Sequence, residues 1–352
     1  MRGLSGYKST FKANMTNRNF TIILPVQNGG EYLKECVKSI LAQTYKNFDV
    51  AILENESTDG SAKWLESLRD SRIKIYPSTS DLSIQDNWAR ALTIPRQEFI
   101  TFIGHDDLLT PDFLVEMNQL IEDDLNASLY QTDFHIIDQS GKIINTSKIA
   151  KHETLDEMLR GFLTLQRQSF SGCVMRRNDY DKVGGFPNYS RLLWADIVLW
   201  LRLASISHAV AISKPCFLLR VHPNSTGVSS KGQAILDAMN SFIQFLKDFQ
   251  QDHEELIPII QENAPSYFLH HARLIYLLDL VDATKRNTRI DPKVLLSLQK
   301  TVDTIAPGYG IQIDNTRSLR LRKLLNNNFL LRSLYISYIR IFHGANHLPP
   351  SQ

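Results

Sequence analysis

The stretch Phe99-Ile100-Thr101-Phe102-Ile103-Gly104-His105-Asp106-Asp107-Leu108 sets an apolar, partly β-branched run directly against a histidine and two adjacent acids. Apolar runs of this length read as buried strands. Two neighbouring carboxylates at the end of one are costly unless a cation or hydrogen-bond donors compensate them. A divalent metal is the usual compensator, and oxygen ligands suit magnesium or manganese. Strand carboxyl ends are also where an open α/β sheet binds ligands. The segment therefore points to a metal-dependent site for a phosphorylated substrate. A plainer reading stands beside it. Thr110-Pro111-Asp112 reads as a helix start, with Thr110 as N-cap and Pro111 in the first turn, and acids ahead of helices are common. Alone, the pair favours that plainer reading; the surrounding chain shifts the balance.

Outward from this stretch, residues 20–129 alternate between strand and helix patterns. Strands are expected at Phe20–Val26, Asp49–Leu53, Arg72–Tyr76 and Phe99–Ile103. Helices are expected at Glu31–Gln43, Ser61–Leu68, Ile84–Leu92 and from Pro111 to about Glu122. Repeated strand–helix units imply a parallel sheet covered by helices, with the strand carboxyl ends on one edge. From Ser128 to about Val221 the pattern is mixed. Strands are expected at Ser128–Thr132, Gly172–Arg176, Ala209–Ile212 and Phe217–Val221, and a helix at Asp196–Ala204. Beyond Pro223 the chain turns helical, with helices expected at Lys231–Phe249, Ser266–Val281 and Pro292–Ile305. The organisation expected is an extension over 1–19, an α/β domain over 20–226 with halves at about 20–132 and 133–226, and a helical region over 227–352.

The chain has 352 residues, 43% of them hydrophobic, and a net charge of +2. That balance gives no argument for nucleic-acid binding. Cys36, Cys173 and Cys216 form no CxxC pair and no zinc pattern, and read as small buried hydrophobes in a reducing compartment. The N-terminal residues lack an apolar signal core, and no apolar run approaches the roughly 20 residues of a membrane span. A cytoplasmic protein is expected.

Two further loops follow strand ends. In Leu24-Pro25-Val26-Gln27-Asn28-Gly29-Gly30, a strand enters a turn and then a helix, offering backbone N–H groups and a helix N-terminus to a ligand. It is not GxGxxG, so the dinucleotide fingerprint is absent, and taken alone an ordinary βα turn with glycine at positive φ is the better account. In Leu53-Glu54-Asn55-Glu56-Ser57-Thr58-Asp59-Gly60, acids and an amide cluster where they could meet a nucleobase edge or ribose hydroxyls. Capping of the next helix by Ser57 or Asp59 is the alternative.

Together with Ser39-Ile40-Leu41-Ala42-Gln43-Thr44-Tyr45 and Ser57-Thr58-Asp59-Gly60-Ser61, these segments resemble the family-two inverting glycosyltransferases of the GT-A fold in residues, order and spacing. The resemblance covers about 20–226. It implies a Rossmann-like, mostly parallel sheet flanked by helices, and transfer of a sugar from a nucleotide-diphosphate donor, a UDP-sugar being favoured. The family's Asp-Asp of the second motif is Glu54-Asn55 here, and the first acid of its Asp-x-Asp is Gly104. The Asn55 amide can both donate and accept, so base contact stays open to it. Asp106 matches the family's metal ligand, assisted by Asp107, with manganese or magnesium as the ion. His105 points the other way if the strand continues. The implied donor-binding set is Pro25, Val26, Asn28, Glu54, Asn55, Asp86, Asn87, His105, Asp107 and Arg220. Trp88 and Ile84, at i and i+4, read as core. In Leu193-Trp194-Ala195-Asp196, Asp196 matches the catalytic base and Ala195 replaces a glutamate. In Leu218-Leu219-Arg220-Val221-His222, His222 is the candidate to complete the metal shell. Inversion needs one carboxylate to take the acceptor hydroxyl proton, and no covalent intermediate.

The resemblance further implies a glycan or lipid-linked acceptor in bacterial surface polysaccharide assembly. A nucleotidyltransferase would want a lysine-rich phosphate loop that Asn28-Gly29-Gly30 lacks, and a non-catalytic sugar- or nucleotide-binding protein of the same fold is the remaining alternative. In the tail, Arg317, Arg320, Arg322, Lys323, Arg332 and Arg340 are followed by no acid after Asp314. Leu321, Leu324, Leu325, Leu331, Tyr335, Tyr338, Ile339 and Phe342 share a helical face. Such a helix over about 317–342 suits the anionic inner face of a membrane; docking on the protein's own core is the more usual fate of such a stripe.

Overall fold

The computed structural model describes residues 16–230, 232–305 and 312–343. Of the expected N-terminal extension, 1–15 lie outside the described residues.

The chain opens with β1 (Phe20–Val26), α1 (Gly30–Leu41), β2 (Phe48–Glu54), α2 (Ser61–Ser67), β3 (Ile73–Pro77), α3 (Ile84–Ala89) and β4 (Phe99–Phe102). It continues with β5 (Leu108–Leu109), α4 (Phe113–Asp123), β6 (Leu129–Ile137), β7 (Ile143–Ser147), β8 (His152–Glu153), α5 (Leu155–Leu163), β9 (Val174–Arg176) and α6 (Arg177–Lys182). Then come α7 (Ala195–Ala204), β10 (Ala209–Arg220) and the short α8 (Thr226–Ser229). The rest is helical: α9 (Gln233–Asp252), α10 (Ile257–Lys285), α11 (Pro292–Ile305), α12 (Arg317–Asn327) and α13 (Phe329–His343).

The sheet order is β3-β2-β1-β4-β9-β6-β10-β5, with β7 beside β6 and β8 beside β10. The pairs β1–β2, β1–β4, β2–β3 and β6–β10 are parallel, whereas β9 runs against both neighbours. Every residue of β1 is buried, as a strand covered by helices on both faces requires. From β1 the chain steps outward to β2 and β3, then returns to pair β4 on the other side of β1. That reversal opens a crevice at the carboxyl ends of β1 and β4. The three cysteines are free and buried.

Several boundaries move for identifiable reasons. The two strands expected at 209–212 and 217–221 are one strand, β10, with register shifts either side of Pro215; proline lacks the N–H that a regular ladder needs. Strand β6 extends to Ile137 because its polar residues are satisfied internally: Asp133 Oδ1 accepts the Ile149 N–H at 2.8 Å, and Gln131 Oε1 accepts from Arg167 at 2.7 Å. Helix α4 starts at Phe113 with Asp112, not Thr110, at its N-cap. The cap comes from α1's C-terminal neighbour: buried Gln43 accepts the Leu114 N–H at 3.0 Å and donates to the Thr110 carbonyl at 2.7 Å. Helix α10 runs through Pro265. The single tail helix expected over 317–342 breaks at Asn328, whose side-chain oxygen accepts the Leu330 and Leu331 N–H groups and starts α13.

Candidate active site

Arg220, at the end of β10, ties this region together. Its backbone N–H donates to Asp107 Oδ1 at 2.9 Å, and its guanidinium donates to the Asp106 carbonyl at 2.8 Å and to Glu35 Oε2 at 2.6 Å. The Arg220 side chain is 1% exposed and that of Glu35 is 54% exposed. Burial, then the neighbouring Asp106 charge, pushes the Asp107 carboxyl well above the usual carboxylate range, and the Arg220 backbone and charge oppose the push. Two residues beyond Arg220, His222 Nε2 lies 2.9 Å from Asp106 Oδ2. The strand-end acids and the end of β10 are thus one unit. Gly104 makes this arrangement fit: a Cβ there would meet Asp106 Oδ1 at 2.8 Å and Asp107 Oδ2 at 3.0 Å.

Above this unit lies a cleft of about 670 Å³, at the carboxyl ends of β1 and β4. Pro25, Val26, Asn28, Asn55, Asn87, His105, Asp106 and His222 all line it, with Gly104 at its floor. Burial holds His105 below the usual histidine value, although Asp106 and a hydrogen bond with the Pro25 backbone oppose the shift. Tyr32 and Arg191 also line the cleft and carry no sequence motif that marks them. Tyr32 sits one turn into α1, its ring 4.6 Å below the Arg220 guanidinium carbon and 5.0 Å from the His222 ring.

The loops around the cleft are braced by several residues expected to meet a donor. Asn55 spends its amide on Leu82, donating to its carbonyl and accepting from its N–H, both at 2.9 Å. The expected base-edge contact by that amide therefore gives way to a loop clamp. Glu54 accepts the Glu56 and Ser57 N–H groups, closing a turn in which Glu56 has φ +47°. Asn87 donates to the Leu53 carbonyl and accepts from Arg90. Asp86 lies outside the cleft lining; it accepts from Ser83 at the start of α3 and from Asn188. Asp107 and Arg220 are buried beneath the cleft floor, their polar atoms engaged as above. These six act on the cleft by holding its walls. Asn28, at φ +53°, accepts the Thr58 N–H at 2.8 Å, and Gly30 donates to Asp59 at 2.9 Å, so Ser57-Thr58-Asp59 binds the first loop to the second.

Asp196 stands apart from that cleft. It lines an adjoining cavity of about 480 Å³, whose walls share Ile84, Arg191 and Thr226 with the cleft. Desolvation by burial raises its carboxyl above the ordinary range, and the Ser169 hydroxyl and the Ile197 N–H oppose that shift. The approach to Asp196 is backbone-strained: Arg191, Leu192 and Trp194 have φ of +53°, +56° and +60°. Left-handed non-glycine residues cost roughly 1–3 kcal/mol each and cluster at functional sites. The strain is held by packing, since Trp194 Nε1 donates to Tyr267 Oη at 2.6 Å and Arg191 donates to Ser230 and Ser229. A glycine-free loop gives no sequence warning of such angles.

Among the described residues no three His, Cys, Asp or Glu side chains gather as a metal cage. Asp106 and His222 offer one carboxylate and one imidazole. The carboxylate suits a magnesium- or manganese-type ion completed by substrate phosphate oxygens and water, whereas the imidazole favours a softer ion than magnesium.

Residues 21–184 match the family model described as glycosyl transferase family 2. Glycosyltransferase GlyG of Streptococcus pneumoniae is 25% identical over 105 residues, 29% of this chain and 35% of that protein. An uncharacterized glycosyltransferase of Rickettsia typhi is 24% identical over 218 residues, 61% of this chain and 68% of that protein. The crystal structure of S. aureus TarS 1–349 in complex with UDP-GlcNAc superposes with a TM-score of 0.62 at 13% identity, covering 91% of this chain and 92% of that chain. The GT-A fold is therefore shared.

The Arg220 strap is its set of contacts to Asp106, Asp107 and Glu35, and removal of the side-chain part should be read in stability. Arg220→Met is expected to lower the unfolding free energy by about 3 kcal/mol, because it strips buried partners from the acid loop. Glu35→Gln, at the water-facing end, should cost less than about 1 kcal/mol. Urea denaturation measures both, and equal losses would move the strap's weight from the acid loop to the Glu35 ion pair.

Proposed function

We propose, for a chain that belongs to glycosyl transferase family 2 through its residues 21–184, that the protein moves a sugar from a nucleotide-diphosphate donor to an acceptor hydroxyl with inversion at the anomeric carbon. The observation that carries the reading is the pair of contiguous cavities, one floored by Asp106 and His222 and the other holding Asp196. The donor occupies the first, its diphosphate against Asp106, His222 and Arg191, and its nucleoside between Pro25, Val26 and the loop that Asn55 and Asn87 hold open. The acceptor hydroxyl enters from the second. Its oxygen attacks the anomeric carbon, the bond from that carbon to the diphosphate oxygen breaks, and Asp196 takes the hydroxyl proton. A manganese or magnesium ion held by Asp106 and His222 with the diphosphate would neutralise the charge on the departing group. Tyr32 and His105 fill the floor beside it and keep water out. A uridine diphosphate sugar is the first donor to test, since S. aureus TarS has been solved with UDP-GlcNAc. A role in building a surface polysaccharide or lipid-linked glycan rests on the sequence resemblance; the bacterial relatives bear out sugar transfer.

No helix among the described residues is long and apolar enough to cross a membrane. The tail nevertheless exposes Leu321, Leu324, Phe329, Leu330 and Leu334, with Leu330 70% exposed. The tail also docks in part on the protein itself, burying Leu319, Asn326 and Ile336, and Arg332 turns inward onto Asn287 and leaves the basic face. The side chains of Ile339, Arg340 and Phe342 lie outside the described residues. The exposed leucines beside Arg317, Arg320 and Arg322 favour peripheral contact with an anionic bilayer, on the inner face of the plasma membrane.

Asp196→Asn should cut transfer about 10²–10⁴-fold while leaving donor affinity, read by calorimetry, close to wild type; undiminished turnover removes Asp196 as the base. The raised Asp196 carboxyl fixes the sign of two pH effects. The acid limb of kcat/KM should lie above the ordinary aspartate value of about 3.9. A carboxyl whose folded-state value is raised contributes stability at low pH that is lost as pH rises through that value, so the neutral Asn variant should be at least as stable as wild type at pH 7. Asp106→Ala should weaken manganese-supported donor binding by at least about 10-fold, and an unchanged response to chelator would take Asp106 off the ion. Co-sedimentation with phosphatidylglycerol vesicles, but not phosphatidylcholine vesicles, should be lost in a Leu330→Gln/Leu334→Gln variant; equal binding to both lipids would overturn the electrostatic part of the membrane reading.

A further inference from the structure

We propose that the cavity behind Asp196 is an acceptor subsite built for an amphiphile: a hydroxyl-bearing head at Asp196, followed directly by a hydrocarbon or aryl group. The inference rests on Asp196 as the base, and it names what lies on the acceptor side of that carboxylate.

The cavity and the donor cleft share three wall residues, so anything placed at Asp196 can reach the donor's end of the cleft. Away from that junction the wall changes character. It is formed by Trp194, Ile235, Tyr267, Ile275, Leu274 and Leu278. Its polar atoms are largely spent. Trp194 Nε1 and Tyr267 Oη pair with each other at 2.6 Å, and His271 Nδ1 is engaged by the Tyr267 carbonyl at 2.9 Å. A sugar ring pushed against such a wall would lose water from its hydroxyls and find few replacements, which is unfavourable. A hydrocarbon would lose nothing. Leu274 and Leu278 stand one helical turn apart on α10, each 43% exposed, and carry the apolar wall from the cavity to the surface. The opening therefore lets a chain longer than the cavity run out along α10. Trp194 presents its ring to this space from a left-handed backbone position and rests on Phe242 and His271. A strained residue fixed on three sides is a formed wall and not a gap in loose packing.

The test uses the full chain and a series of methyl, hexyl and octyl β-glucosides below their micelle concentrations, first without donor. Calorimetry should show affinity rising by up to about four-fold for each methylene that enters the cavity. A Leu274→Gln/Leu278→Gln variant should flatten the series while melting as wild type does, since both positions are part-exposed. Gly227→Trp provides a second variant. A Cβ at Gly227 meets no atom within 4 Å, and the residue lines the cavity, so added bulk can plug it without strain elsewhere. Leu330→Gln/Leu334→Gln, on the exposed tail outside the cavity lining, should keep the dependence. Equal affinity across the series, or a dependence lost only in the tail variant, overturns the proposal. Transfer assays then separate it from the base assignment. Chain-length-dependent binding with no sugar transferred leaves the subsite standing and sinks the base. Transfer at equal KM to methyl and octyl acceptors does the reverse.

Discussion

The site depends on one tie, the attachment of the β10 end to the loop after β4 through Arg220. A parallel sheet brings strand ends to one edge, but it does not bring any particular pair of loops into contact. Here the contact is made by a single residue using both its backbone and its side chain. The backbone N–H neutralises part of buried Asp107, and the guanidinium holds the Asp106 peptide from the other side. With those two points fixed, the next residues of the chain deliver His222 to the Asp106 carboxylate. Buried charge of this kind is costly in isolation. It persists because every partner is itself held, Glu35 by α1 and Asp107 by its own strand end.

The elements that were legible in the sequence are those whose burial is uniform. Strand β1 and helix α1 carry apolar residues at the spacing their structures require, and their positions follow within a residue or two. The elements that were not legible are those whose polar residues are satisfied by distant partners. Strand β6 looks short because Asp133 breaks its pattern, yet Asp133 is buried and accepts the Ile149 N–H. The start of α4 is displaced because Gln43, seventy residues earlier in the chain, supplies the cap. No local pattern contains that information.

The same distinction governs the site. Motif position located the cleft residues Pro25, Val26, Asn28, His105, Asp106 and His222, because strand ends are legible and the cleft sits on them. It did not separate side chains that face the cleft from those that hold its walls. Asn55 has the chemistry to read a base edge, and spends it on the Leu82 backbone. Asp107 and Arg220 have the charge to meet a diphosphate, but Asp107 accepts the Arg220 backbone N–H and the Arg220 guanidinium is taken by Glu35 and the Asp106 carbonyl. Residue type states what a group can bond; only the fold states what it has already bonded. Arg191 shows the converse, an arginine without a motif that a strained turn carries into the wall between two cavities.

Gly104 gives the site a direction in time. Its missing side chain leaves the space into which the Asp106 and Asp107 carboxylates fold, one held by His222 and the other by Arg220. An acid introduced at position 104 would find that space taken by two groups that are themselves anchored. An acid at position 104 is therefore not reached by one substitution alone. Asp106 would first have to be released from His222, and each intermediate would leave a carboxylate without its partner. The arrangement is held in place by the order in which its steps would have to be undone.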